Sequence, residues 1–116
     1  MNELDELRAI LPVRILDALY ESEVLTLHGE REVLISIRCP FVVEHMRRAE
    51  FFPGGEEPIL RKLEGLHLSE ISIEATGPYP DLLLQFGEGA RLSTRAPHAG
   101  EEMWFIDVQD VTFISP

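Results

Sequence analysis

The stretch 82–94 constrains the fold more than any other part of the 116-residue chain. Apolar side chains alternate with others from Leu82 to Phe86 and again from Ala90 to Thr94, which is the period of a strand with one face toward a core. The connection between the two runs is Gly-Glu-Gly, and a glycine there supplies the left-handed conformation that a three-residue hairpin loop needs. The stretch therefore predicts a β-hairpin.

A second hairpin with the same pattern is predicted earlier in the chain. Residues 24–27 and 33–38 alternate across the loop 28–32, and the apolar side chains on their shared face are Leu25, Leu27, Val33, Ile35 and Ile37. Sliding the chain by 57 residues places 13–40 over 70–97 without a gap and gives six identities, where chance gives about two. We infer two pseudo-repeated three-strand antiparallel meanders, which form a sandwich or a half-barrel-like sheet.

Two short helices are predicted outside the hairpins. Asn2 has the side chain of a helix N-cap, apolar residues recur after it at helical spacing, and Pro12 ends the segment. In the connection between the meanders, Pro58 suits the first turn of a helix and Gly65 suits the position just after its end. The sequence therefore predicts a mainly β fold of the α+β type, in a single domain over 1–116.

Two stretches that follow the hairpins are less specific. The pattern of 41–52 fits either an extension of the third strand or a helix, and periodicity does not decide between them. Residues 103–108 predict a seventh strand with Trp104 on its apolar face, and 111–114 either continues this strand or pairs with it. The order of the strands, and whether they form one sheet or two, stays open.

The chain is strongly acidic, with 21 Asp and Glu against 10 Lys and Arg and a formal net charge of -11. A nucleic-acid binder draws most of its non-specific affinity from Lys and Arg that neutralise phosphates, so DNA or RNA binding is not expected. An acidic field instead attracts basic proteins and speeds their encounter. We therefore expect any protein partner to be basic.

Hydropathy and cysteine content indicate the compartment. No apolar run reaches the roughly 20 residues of a membrane helix, and the first six residues are acidic, unlike the start of a signal peptide. The single cysteine, Cys39, has no partner for an internal disulfide and falls at the end of a strand, where a buried structural thiol is the usual case. These features predict a cytoplasmic protein that does not contact a membrane.

Residue types that often carry chemistry are present without the spacing that such chemistry needs. The four histidines, His28, His45, His67 and His98, do not stand three or four residues apart, as ligands on one helical turn do. The glycines of the 82–94 hairpin precede a strand, whereas a phosphate-binding glycine loop precedes a helix. No nucleophile elbow, Walker lysine or His-Glu-x-x-His motif occurs. We expect no metal, no cofactor and no enzymatic activity.

Aromatic residues and one acidic cluster are the candidate ligand- or partner-binding positions. Trp104 is either a core residue or an interface anchor near the end of the chain. Phe51 and Phe52 either cover the sheet or stay exposed and bind a partner. The densest group of potential ligands, whose alternative is a solvated acidic turn, precedes the seventh strand and consists of His98, Glu101 and Glu102.

A resemblance adds to this description of the chain's last third. The pattern Phe86-x-x-Gly89-x-x-Leu92, followed by Glu101-x-x-Trp104, resembles the ending of small uncharacterised bacterial families of unknown function. In those families a hairpin of the form Asp-Gly-x-x-Leu precedes Tyr-Glu-x-Trp and a final strand. The chain departs from the pattern with Glu88 where an aspartate is usual, and with Gly-Glu-Glu-Met at 100–103 where a Tyr-Glu pair would precede the tryptophan. The resemblance covers about 63–108, implies a bacterial β-rich fold and carries no functional residue across.

Three functional hypotheses follow. The preferred one is a non-enzymatic acidic protein-binding domain, and its sharper form is an immunity-type inhibitor that covers the basic active site of a toxin. The second is a small-molecule or metal-binding domain with a cavity between the meanders and with His98, Glu101 and His67 at its mouth. The third is a structural homo-oligomer in which pairing covers the edge strands.

Overall fold

A computed structural model describes residues 3–74, 81–95, 103–109 and 111–114. Most of these residues lie in antiparallel strands, and two short α-helices precede the strands of the two meanders. The prediction of a mainly β fold with a helix near the N-terminus and another in a connection is confirmed. The elements are α1 (Glu3–Ile10), β1 (Val13–Glu21), β2 (Val24–Gly29), β3 (Val33–Ile37), β4 (Phe41–His45), β5 (Arg48–Phe52), α2 (Pro58–Arg61), β6 (His67–Glu74), β7 (Asp81–Phe86), β8 (Arg91–Thr94), β9 (Trp104–Val108) and β10 (Val111–Ile114).

The described strands form one hydrogen-bonded order, β10-β9-β3-β2-β1-β6-β7-β8-β4-β5. Strand β1 joins its two halves, because Val13 and Arg14 pair with β6 whereas the strand from Ile15 onward pairs with β2. The β1–β2 register shifts between Ile15 and Asp17, and an extra residue of this kind bends a strand and increases its twist. The bend falls at the junction of the two halves.

The sheet curls so that its two halves enclose the core. The Tyr20 ring of β1 meets Phe41 of β4 edge-on at 5.8 Å and Phe52 of β5 at 5.3 Å between ring centroids. Three strands separate β1 from β4 in the sheet order. A flat sheet keeps neighbouring strands about 4.8 Å apart, so these contacts require the sheet to turn back on itself.

Each meander receives its last two strands from the other half of the chain. The hairpin β4–β5 follows β3 in sequence but pairs with β8, and β9–β10 follows β8 but pairs with β3. The strand order therefore reads the same in reverse when β1–β5 are exchanged with β6–β10. The two hairpins make their connections to the meanders in equivalent places.

The 57-residue offset matches the pairing of the second and third strands of each meander but not the pairing of the first and second. Leu27 faces Ile35 in the β2–β3 pair, and the residues 57 positions later, Leu84 and Leu92, face each other in the β7–β8 pair. On its other side Leu27 faces Ala18, whereas Leu84 faces Ile71, which lies 53 residues after Ala18. The pseudo-repeat over 13–40 and 70–97 stays a prediction.

Both predicted hairpins place their alternating apolar residues in the core. In β2 and β3 the five predicted inward residues are all buried. In the second hairpin, Gly89 takes a φ of +74° and Glu88 a φ of +60°, so the loop adopts the left-handed conformation expected there. Each fully buried aliphatic side chain contributes about 1.5–3 kcal/mol relative to exposure. Alternation therefore sets the inner face of both hairpins.

Residues 41–52, which the sequence left between helix and strand, form the hairpin β4–β5. Phe41 and Val43 face the core and alternate with the exposed Glu44. The two-residue turn consists of Met46 and Arg47, with φ values of +50° and +69°. Pairing with β8 on one side, together with burial of the inward residues, outweighs the lack of a turn glycine.

The two helices are short and pack through few residues. In α1, Leu7 is fully buried, while the predicted cap Asn2 lies outside the described residues. In α2, Pro58 occupies the first turn as expected, and Ile59 and Leu60 are buried. The helix ends at Arg61, earlier than predicted, because the chain continues in tight turns with hydrogen bonds to the carbonyl three residues back. Gly65 closes these turns with a φ of +87°, a conformation that glycine adopts without strain.

Candidate functional site on the outer face of the sheet

The structure separates the predicted partner-binding aromatics into core and surface. Trp104 is fully buried and Phe52 is 2% exposed, so the fold takes up both side chains, as the core alternative for each expects. Phe51 is 65% exposed, because neighbouring residues on a strand point to opposite faces. The other candidates, His98, Glu101 and Glu102, lie outside the described residues.

Phe51 stands at one end of a row of side chains that crosses five strands. Phe51 of β5 pairs with Val42 of β4, and Val42 pairs with Ser93 of β8. Ser93 pairs with Leu83 of β7, which pairs with Ser72 of β6. Directly paired residues on one face have Cβ atoms about 4.5–5.5 Å apart. The five residues therefore form a continuous outer row, which we call the Phe51 row.

The Phe51 row faces away from the hydrophobic core. Val42 and Leu83 are buried but do not belong to the core cluster, whereas their chain neighbours Val43 and Leu84 do. Ser72 and Ser93 are half-buried. From Ser72 to Val42 the members of the row alternate between half-buried and buried, and Phe51 at the end of the row is the member that is largely exposed.

Charged and amide side chains flank the Phe51 row, which itself carries no charge. A parallel row of outward-facing side chains lies two residues away along each strand. It consists of Glu70, Gln85, Arg91 and Glu44. On the opposite side, Glu74 pairs with Asp81. An uncharged centre with a charged rim is the usual composition of a protein–protein contact. Arg95 also flanks the row and donates a hydrogen bond to the Ser93 hydroxyl at 2.9 Å. Four of the six charged flanking residues are acidic, in keeping with the net charge of the chain.

Strand β5 is an edge of the sheet, with no second neighbour among the described strands. Edge strands present unpaired N–H and C=O groups and are usually protected by charge. Here Arg48 donates hydrogen bonds to the carboxylates of Glu50 and Glu56, at 3.0 and 3.5 Å. Ala49 and Phe51, on the outer side of the same strand, are uncharged and exposed. The loop after β5 covers the backbone at Phe51, because a Cβ on Gly55 would lie 2.8 Å from the Phe51 carbonyl oxygen.

In the described part of the chain, no group of three or more His, Cys, Asp or Glu side chains is placed to hold a metal ion. His67, expected at the mouth of a cavity, is exposed on β6. Burial raises the pKa of the Cys39 thiol to about 11, so the thiol is overwhelmingly protonated at neutral pH and a weak nucleophile.

The described helices are too short to span a membrane. Neither α1 nor α2, nor any other described helical segment, has the length and apolar character needed to cross a bilayer.

Sequence reasoning identified one of the five members of the Phe51 row. Alternation shows that Val42 and Leu83 lie opposite their core-facing neighbours. It does not show that β4 pairs with β8, and this pairing is what aligns Val42 with Ser93. One sequence signal could have indicated the row: Val42 and Leu83 are uncharged although they lie on the outward face, where charged residues stand nearby.

The comparisons with known proteins give no family. No family model, no curated protein and no solved structure matches the chain. The resemblance to small uncharacterised bacterial families stays a prediction, and the functional argument rests on the geometry of the chain itself.

Proposed function

We propose that the protein is a non-enzymatic protein-binding domain that docks a basic protein on the Phe51 row and the adjoining edge of β5. The observation that carries the proposal is the 65% exposure of Phe51 at the open end of an uncharged row. Burying one phenylalanine against a partner contributes about 1.5–3 kcal/mol. Aromatic side chains at the centre of a contact often dominate its affinity.

The outward side chains of β5 supply the second part of this binding mode. These are Ala49 and Phe51, and both are exposed. An apolar side chain of the partner that packs against Phe51 would extend the Phe51 row beyond the edge of the sheet.

Charge favours a basic partner over a second copy of the chain. The formal net charge of -11 attracts a basic protein and opposes self-association. The sharper form of the proposal is an immunity-type inhibitor that covers a basic active site. The single buried Cys39 suits a reducing cytoplasm, and the proposal includes that compartment.

Affinity capture with matched variants tests the proposal. The tagged chain, Phe51→Ser and Leu16→Ser are each incubated with lysate of the source organism, and bound proteins are quantified by mass spectrometry. Leu16 is a good control, because it is another exposed apolar strand residue but lies on β1, outside the Phe51 row. We expect one basic protein with the wild type and with Leu16→Ser, and at least about tenfold less with Phe51→Ser.

Salt separates a shaped contact from general attraction. Exposed charges more than a Debye length apart are largely screened at about 0.5 M salt, so a partner that docks on Phe51 remains bound there. Equal recovery by the wild type and Phe51→Ser, or loss of all binding at this salt, contradicts the proposal. A dimer that Phe51→Ser dissociates, seen by light scattering of the purified chain, replaces the basic partner with a second copy.

A further inference from the structure

A second surface feature lies at the end of β4, away from the Phe51 row. The β4–β5 turn borders a cavity of about 230 Å³, and Gly89 of the β7–β8 loop contributes to its wall. This volume is below the roughly 300–1,000 Å³ of sites for drug-sized ligands. The cavity therefore suits a small molecule or one functional group of a larger one.

His45 gives this cavity an unsatisfied polar group. The side chain lines the cavity, is 7% exposed, and its Nε2 atom has no hydrogen-bond partner among the described residues. A buried polar atom without a partner costs about 1–3 kcal/mol, so such atoms usually serve a ligand, an ion or a water. The histidine faces inward because it continues the alternation of Phe41 and Val43.

Arg47 and Arg48 follow His45 and both line the cavity, but they differ in whether a carboxylate already binds the guanidinium group. Arg48 donates hydrogen bonds to the carboxylates of Glu50 and Glu56. Arg47 is exposed and makes no hydrogen bond or ion pair with any described residue. Glu44 also lines the cavity, on the opposite face of β4 from His45. Arg47 therefore supplies a positive charge that no hydrogen bond or ion pair with a described residue engages, beside one acidic neighbour.

The backbone of the turn keeps these groups together. Met46 and Arg47 both have positive φ, a conformation that costs roughly 1–2 kcal/mol per residue for side chains other than glycine. The turn allows only two residues between His45 and its cross-strand partner Arg48. The imidazole and both guanidinium groups thus project from one tight hairpin end.

We propose that this cavity binds a small oxyanion, the carboxylate or phosphate group of a small molecule. The Arg47 guanidinium provides charge and a planar pair of donors, and the His45 Nε2–H donates the second hydrogen bond. Nε2 lies out of contact with bulk water, so the proposal requires the ring or the exposed Met46 side chain to move before an anion reaches it. The cavity adjoins the Phe51 row through Glu44 and Ala49, but the donors proposed here, His45 and Arg47, are not members of that row.

Titration with inorganic phosphate and with acetate tests the proposal, with sodium chloride at equal ionic strength as the reference. Imidazole resonances of the full chain are followed by nitrogen–proton NMR, with the exposed His28, whose Nδ1 lies 3.1 Å from the Asp17 carboxylate, as an internal control. We expect saturable shifts at His45 with a dissociation constant of about 1–10 mM, and no saturable shift at His28. The tighter of the two anions identifies the group recognised.

Two arginine variants form the matched pair. Arg47→Gln should weaken binding about tenfold or more, since a charge-assisted hydrogen bond is lost. Arg31→Gln should leave it unchanged, although Arg31 is also an exposed arginine with positive φ in a hairpin loop. Phe51→Ser should likewise retain anion binding, so the two proposals fail separately. An unresponsive His45 resonance, or equal affinity of both arginine variants, overturns the oxyanion site.

Discussion

The hairpins β4–β5 and β9–β10 occupy equivalent places at opposite ends of the sheet. Each joins the meander of the other half of the chain and stacks two aromatic rings. Phe41 stacks on Phe52 with 4.9 Å between ring centroids, and Trp104 stacks on Phe113 with 5.5 Å. A stacked pair of aromatic rings therefore lies in the hairpin at each end of the sheet order.

The hairpins differ at the residue just before the second ring of each pair. In β10 this residue is Thr112, which is exposed and polar, whereas in β5 it is Phe51, which is exposed and apolar. Phe51 pairs with the residue after Phe41, whereas the residue after Trp104 pairs with Ile114, so Thr112 matches Phe51 in its place before the ring but not in register. The two edge strands still differ in what they expose there, a hydroxyl in β10 and an aromatic ring in β5.

The largest expected effect tests the ring pairs. Phe52→Ala should destabilise the fold by about 3–5 kcal/mol, because it empties a fully packed aromatic site. Phe113 is only half-buried, so Phe113→Ala should cost about half as much. Urea unfolding followed by tryptophan fluorescence and circular dichroism measures both. Equal losses in the free energy of unfolding would mean that the two hairpins contribute equally to the core, and would contradict the expected difference between Phe52 and Phe113.

The places where the hairpins join the meanders give the next test. Phe41 of β4 faces Thr94, whereas Trp104 of β9 faces Ile37, the residue 57 positions before Thr94. The buried Thr94 hydroxyl accepts a hydrogen bond from the Leu82 N–H at 2.9 Å and donates one to Asp81 at 3.0 Å. The β4 junction thus has the hydroxyl of Thr94 where the β9 junction has the entirely apolar side chain of Ile37.

Thr94→Val should destabilise the chain by about 1–3 kcal/mol, since the Leu82 N–H then lacks its buried acceptor. Thr26→Val is the matched control: the hydroxyl of Thr26 has no hydrogen bond to a described residue, and the change should stay within about 0.5 kcal/mol. Chemical denaturation of the two variants measures the difference. Similar values for both would show that the hydroxyl at the β4 junction contributes no more than an ordinary surface threonine.

The elements that sequence analysis predicted are those whose signals are local. The hairpin at 82–94 contains its own alternation and its own turn glycine, so no distant residue was needed to recognise it. The start of the helix at Pro58 was likewise predicted from local residues, whereas its end falls at Arg61, before the predicted end at Gly65. In both cases the residues that shape the backbone stand next to those that pack.

The β4–β5 hairpin and the Phe51 row lack such local signals. Met46 and Arg47 adopt positive φ without glycine or asparagine, so the turn could not be read from residue type. Strand β4 is instead aligned by β8, where Phe41 pairs with Thr94 across more than 50 residues of chain. Exposure of Phe51 and burial of Phe52 follow from that pairing, which is why the sequence offered both as candidates.

The smallest expected change in stability belongs to Phe51 itself. Phe51→Ala should alter the free energy of unfolding by no more than about 0.5 kcal/mol, because an exposed side chain loses little packing. Its neighbour Phe52 is the built-in control, since the same substitution one residue later removes a buried ring. If Phe51→Ala proved as costly as Phe52→Ala, the exposed ring would be a stability element of β5, and its difference from Thr112 would say nothing about a partner. A stable Phe51→Ala chain that loses its partner would instead show that one strand presents a structural face and a binding face at adjacent residues.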